Sequence, residues 1–233
     1  FNQTGVATAA AAAGFDNVGD EFAAETANTL EAGFKTRWLD DRLIVNGSIY
    51  RTMDHNDYYF VFLASNSTQN LGNIKRVRFQ GFDLDATARL NEYLTGNLGF
   101  GLTDSKIREF PGASSPLVVG SKAPLVPDYT FNAGLQYQRP VWTGWDVLIR
   151  ADYSLTGPTT FVIPVPAAGE PVPPERNPVG LVDLRAGFQS DAWTLTAWAK
   201  NLFNKKYNTE YSTGGFIFKA EERTWGIQVT KHF

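Results

Sequence analysis

From Leu30 onward the chain keeps a rhythm of two. The even positions Leu30, Ala32, Phe34 and Trp38 are apolar, and the odd ones are Glu31, Gly33, Lys35 and Arg37. Strict alternation marks a strand with one apolar and one polar face. The same rhythm returns over residues 43–49, 82–90, 94–102, 131–137, 147–155, 182–188, 195–199 and 227–233, giving nine predicted strands. Between them short and long connections alternate without exception. Tight turns are expected at 39–42, 91–93, 139–144 and 189–192, and connections of about twenty residues at 52–77, 104–128, 156–178 and 204–222. Soluble sandwiches have short connections at both ends, whereas outer-membrane barrels pair short periplasmic turns with long outer loops.

Composition then removes the competing membrane reading. Hydrophobic residues make up 43% of the chain and the mean hydropathy is −0.24. No apolar run approaches the 18 or so residues of a transmembrane helix. A barrel escapes hydropathy because only every second residue meets lipid. Four of the six tryptophans, Trp38, Trp142, Trp145 and Trp193, flank the expected short turns, as amphipathic rings do at a headgroup layer. Cysteine is absent and the net charge is −3, so there is no thiol chemistry and no broad basic field for nucleic acid. Residues 1–24 read as the end of an outer loop. Nine strands starting outside then finish in the periplasm.

Four stretches resemble the C-terminal part of TonB-dependent outer-membrane receptors. They are Gly81-Phe-Asp-Leu-Asp-Ala-Thr-Ala-Arg89, Leu181-Val-Asp-Leu-Arg-Ala-Gly-Phe188, Lys200-Asn-Leu-Phe-Asn-Lys-Lys-Tyr207 and Trp225-Gly-Ile-Gln-Val-Thr-Lys-His-Phe233. The third is the most specific. Ile227, Val229 and Phe233 resemble the barrel-assembly signal of many outer-membrane proteins, with Lys231 where that signal usually carries an apolar residue. The resemblance implies an all-β fold, an antiparallel transmembrane β-barrel in the bacterial outer membrane. The chain would supply about the last nine of on the order of 22 strands around a plugged lumen. The plug, the first strands and the TonB box would lie outside this sequence, which begins at Phe1. The two edge strands should then bond to strands not present here and not to each other. The implied function is energy-coupled uptake of a scarce ligand, an iron chelate, cobalamin, saccharide or similar. A passive porin or a structural barrel of an envelope assembly is the alternative. The implied partners are outer-membrane lipid and lipopolysaccharide, the plug, TonB and an unidentified small molecule.

Candidate site residues fall into two groups. The polar face carries Asp83, Asp85, Arg89, Arg150, Asp152, Asp183 and Arg185, expected to line the lumen as a solvated wall, in cross-strand ion-pair ladders or against the plug. The stretch 57–62 places Tyr58, Tyr59, Phe60 and Phe62 in an outer connection. These rings either grip a ligand, since aromatics bury large area at low entropic cost, or belong to a strand rising above the membrane and packed on its neighbours. The Pro-rich stretch 164–178 reads as a stiff excursion. The two histidines, His55 and His232, join no nucleophile and acid, so no catalytic residue is assigned. Asp54, His55 and Asp57 are too thin a set to assign a metal, and no cofactor is expected.

Overall fold

A computed structural model describes residues 1–233 except 16, 64, 66, 113, 114, 165–174, 213, 214 and 233. Nine strands form one antiparallel sheet: β1 (Thr26–Trp38), β2 (Leu43–Leu63), β3 (Thr68–Arg89), β4 (Leu94–Glu109), β5 (Tyr129–Trp142), β6 (Trp145–Thr156), β7 (Val179–Gln189), β8 (Trp193–Lys200) and β11 (Thr224–Lys231). They are the nine that the alternation marks. A separate hairpin, β9 (Asn208–Ser212) with β10 (Phe216–Lys219), lies within the last long connection. Among the described residues β1 pairs only with β2 and β11 only with β8. The sheet is therefore open, as a part of a larger barrel must be, because an unpaired edge in lipid has no water to bond to. Among the described residues no helix is long and apolar enough to cross a membrane.

The register carries one apolar face across the whole sheet. Ile49 sits opposite Phe82, which sits opposite Leu102, and Leu135 opposite Ala151, which faces Leu184. Ile49 is 65% exposed and Ile227 77%. Such exposure of large apolar side chains would be costly in water and is the normal state of a lipid-facing wall. Phe34, Leu135, Ile149, Leu184 and Val229 share that exposed face. The next outward row is Arg51, Gln80 and Asp104, mutual neighbours across three strands. On β2 the apolar belt thus runs from Leu43 to just below Arg51, roughly the nine to eleven residues that a tilted strand needs to cross the hydrocarbon.

Above that row the structure departs from the sequence reading. The connection expected at 52–77 is the upper half of a hairpin, for β2 has 21 residues and β3 has 22, about twice what a membrane requires. The connection at 104–128 holds the end of β4 and a short helix, α2 (Ser115–Val118). Residues 1–24 contain α1 (Val6–Ala12). These pieces enclose a small core of Val6, Ala10, Tyr59, Val61, Leu63, Ile74, Val77, Ile107, Phe110 and Val118, several of them wholly buried. Asparagines tie the N-terminal segment to β3. Asn2 donates through Nδ2 to the Leu71 carbonyl at 2.8 Å and accepts from the Leu71 N–H at 2.9 Å. Asn73 does the same with Ala23, at 3.2 and 2.8 Å.

Candidate functional site

The polar face of β1 to β5 forms a groove of about 800 Å³ lined by Glu31, Lys35, Asn46, Asp83, Asp85 and Asn132 among others. Glycines make the hollow. A Cβ at Gly101 would come within 2.8 Å of Asp83 Oδ1 and 3.0 Å of Thr130 Oγ1. Farther round the wall, a Cβ at Gly134 would overlap Asn97 Oδ1 and sit 2.8 Å from both Arg150 and Asp152. Small residues on one strand therefore leave room for long polar ones on the next.

The expected luminal residues share this face, but their pairing differs from a ladder. Across β6 and β7 like charges sit opposite each other, Arg150 with Arg185 and Asp152 with Asp183. The ion pair runs along β6 instead. Arg150 donates to Asp152 through Nη2 at 2.5 Å and Nε at 2.9 Å, and also to Asn97 Oδ1 at 3.1 Å. Residues two apart on a strand point to the same side, so one bidentate fork serves both. Asp183 accepts from the Asn201 backbone N–H at 2.8 Å. Asp85 accepts from Asn46 at 3.3 Å. Arg89 lies at the turn end, donating to the Asp41 carbonyl at 3.3 Å. Asp83 and Arg185 have no ion-pair partner among the described residues.

On the rim, the four aromatics have different surroundings. Tyr59 is buried in the core, its hydroxyl donating to Asn17 Oδ1 at 2.9 Å and its ring 5.6 Å from Phe110. Tyr58 meets Phe22 edge to face at 5.5 Å and accepts from the Glu25 N–H at 3.2 Å. Phe62 meets Phe216 at 5.9 Å. Phe60 is left 54% exposed. Beside them the structure brings together Glu25, Asp54 and Asp57, with a carboxylate oxygen of each within 4.8 Å of the others. In the sequence His55 stands between Asp54 and Asp57 as the nearest third member, and nothing in the spacing brings in Glu25. The pairing of Thr26 with His55 does so. Asn56, at φ 60, shifts the inward parity of β2. Inward burial falls on Asp54 before it and on Tyr59, Val61 and Leu63 after it, which lets Asp54 and Asp57 serve one side. Burial, then the charges of Asp54 and Glu25, push the Asp57 carboxyl up to about 6. Burial first and Glu25 second raise Asp54 as well.

The motif stretches are built as turn and girdle devices. Asn201, in the left-handed region at φ 49, accepts from the Lys205 N–H at 2.8 Å and donates to the Lys205 and Glu221 carbonyls at 3.0 and 3.3 Å. Asn204 Oδ1 accepts from the Arg223 N–H at 2.8 Å. Two asparagines thus hold the strand exit to the strand that returns, by mimicking backbone turns. Ile227 and Val229 lie on the exposed apolar face, and Phe233 lies outside the described residues. Lys231 sits opposite Trp193, its Nζ 5.5 Å from the ring centroid, which accommodates a cation at the membrane edge.

The family description "TonB dependent receptor-like, beta-barrel" matches residues 1–202. The ferric-pyoverdine M114 receptor PbuA of Pseudomonas sp. (strain M114) is 25% identical over 216 residues, covering 87% of this chain and 24% of that protein. The chain thus spans about a quarter of that curated relative. In fold it is similar to the ferric yersiniabactin uptake receptor FyuA from Yersinia pestis (TM-score 0.70, 19% identity, 91% of this chain and 31% of that one). It is equally similar to the closed form of the ferric-catecholate import receptor Fiu from E. coli K12 (TM-score 0.70, 20% identity, 93% and 29%). With the open nine-stranded sheet, the lipid-facing belt and the polar inner wall, the match over residues 1–202 establishes that this chain belongs to the TonB-dependent receptor β-barrel family of the bacterial outer membrane.

Proposed function

We propose that the chain is part of the wall of a receptor that takes up a ferric chelate across the outer membrane with energy from TonB, in a transport and not a catalytic role. The observation that carries the reading is the polar inner wall, held in the fold of a family whose similar members are named as ferric-siderophore receptors. Asp83 and Arg185 present luminal charges without ion-pair partners among the described residues, and a plug seated in the lumen would supply them. Lipopolysaccharide would meet the outward row at Arg51. Among the rim aromatics, Phe60 is the ring with open area for a ligand, with Tyr58 and Phe62 as flanks and Tyr59 as their support.

Uptake of a radiolabelled ferric siderophore in cells deleted for the gene and complemented with it tests the reading. Accumulation should require both the gene and TonB. Accumulation that continues without TonB would favour the passive porin. Phe60→Ala should weaken ligand binding by roughly tenfold, the equivalent of about 1.4 kcal/mol, without changing the amount of assembled receptor.

A further inference from the structure

We propose that Glu25, Asp54 and Asp57 form a calcium site on the outer rim, clamping the start of β1 to the membrane-distal half of β2. The proposal stands apart from the uptake reading and does not rest on it. Two independent observations carry it. Ligand oxygens of the three carboxylates lie within 4.8 Å of one another, and none of the three has an ion-pair partner among the described residues. Separately, Asp54 is 8% exposed, and its Oδ1 is buried with no hydrogen-bond donor among the described residues. A buried carboxylate oxygen needs a donor or a cation. No described residue donates to that oxygen, although asparagines satisfy their neighbours at Ala23, Ala24 and Leu71.

The chemistry of the set selects the ion. Three carboxylates without thiol or imidazole suit a hard cation, and His55 is not one of the three. Calcium accepts oxygens at about 2.3–2.6 Å in a flexible geometry, while magnesium demands a near-ideal octahedron at about 2.0–2.1 Å and gives up its water reluctantly. Water would complete the six to eight ligands calcium takes. The site lies above the Arg51 row, hence outside the hydrocarbon and open to extracellular calcium. Its residues are locally well placed for a clamp. Glu25 immediately precedes the strand that pairs with β2 from Thr26 onward, and Asn56 turns Asp57 to the side of Asp54.

Calorimetric titration of the full-length, chelator-stripped receptor in detergent with calcium chloride tests this. The wild type should take up one calcium more than Asp54→Asn, with a dissociation constant on the order of 10⁻⁴–10⁻³ M, the range of extracellular sites. Glu25→Gln, at an exposed position where folding is not at stake, should weaken that binding at least tenfold. Magnesium chloride at the same concentration should leave the site unfilled. Equal calcium uptake by the wild type and Glu25→Gln would overturn the proposal, and so would magnesium filling the site as readily as calcium.

Discussion

Below the Arg51 row the wall is one strand thick, and above it the same two strands carry a core. In the belt, β2 and β3 show lipid an unbroken apolar face and the lumen a polar one, and large side chains such as Ile49 stand exposed because lipid is their solvent. On the rim, water replaces lipid outside, and the apolar side turns inward. Tyr59, Val61 and Leu63 pack with Ile74, Ile107 and α1 into a closed cluster. The change happens within a few residues, at Asn56 on β2 and near the irregular pairing of Arg76 and Val77 with β4. One continuous hairpin thus obeys two rules of burial, and the boundary between them is the membrane surface.

The largest expected effect tests the rim as a true core. Leu63→Ala and Ile107→Ala each remove a wholly buried side chain, at a cost of roughly 2–5 kcal/mol. The loss should be local. Hydrogen exchange of the Val6–Ala12 amides should accelerate by two or more orders of magnitude, while the barrel keeps its resistance to unfolding in detergent. Barrel unfolding in step with the N-terminal segment would dissolve the distinction between rim and belt.

Next comes the belt itself. Leu135→Arg places a charge on the lipid face and should cost about 2–4 kcal/mol near the midplane, seen as a lower urea midpoint and less assembled receptor. Asn132→Arg, three residues away on the luminal face of the same strand, should stay within about 0.5 kcal/mol. Equal penalties would mean that the two faces have been assigned wrongly.

How much of this was readable in the sequence follows from the same comparison. The nine belt strands were legible because a wall with different solvents on its faces must alternate, and Leu30 to Trp38 or Phe131 to Tyr137 do so almost perfectly. The rim was not. Where both faces of the hairpin are covered or crowded, the alternation fails, and Tyr58-Tyr-Phe-Val-Phe-Leu63 fits both an aromatic loop and a strand packed above the membrane, of which it is the strand. The open sheet edges followed from parity and from the requirement for paired edges in lipid. Alternation puts Arg150 and Arg185 on the polar face but does not give their partners, since only register shows that Arg150 stands opposite Arg185. Glu25 was missed because its carboxylate neighbours come from another strand.

A smaller effect concerns the strand exit. Asn201 supplies hydrogen bonds to three backbone groups from a left-handed position. Asn201→Ala leaves those groups without their partner and should cost about 1–3 kcal/mol. Asn201→Asp, which keeps the acceptor for Lys205 N–H but loses both donors, should fall between. Hydrogen exchange of the Lys205 amide reads it directly, and unchanged protection in Asn201→Ala would show that β8 and β11 fix the turn without the motif.

The smallest effect belongs to Lys231, where the sequence breaks its own assembly pattern. The lipid face of β11 runs Trp225, Ile227, Val229 and then a cation, opposite Trp193. A charge at mid-depth would be costly, but the penalty falls to about 0–1 kcal/mol near the interface. There the aliphatic stem covers apolar surface while the ammonium reaches the headgroups, and the Trp193 ring at 5.5 Å adds about 0.5–1 kcal/mol at an exposed position. These contributions offset each other, so Lys231→Leu should shift the urea midpoint by the equivalent of less than about 1 kcal/mol and leave assembly intact. Trp193→Ala should cost more, because it removes both the ring contact and the interfacial anchor. The pair can be separated by a double-mutant cycle. A coupling between Lys231→Leu and Trp193→Ala near zero would place the lysine in the headgroups alone, and a Lys231→Leu gain of about 2 kcal/mol or more would mean that position 231 lies in the hydrocarbon and not at the membrane edge.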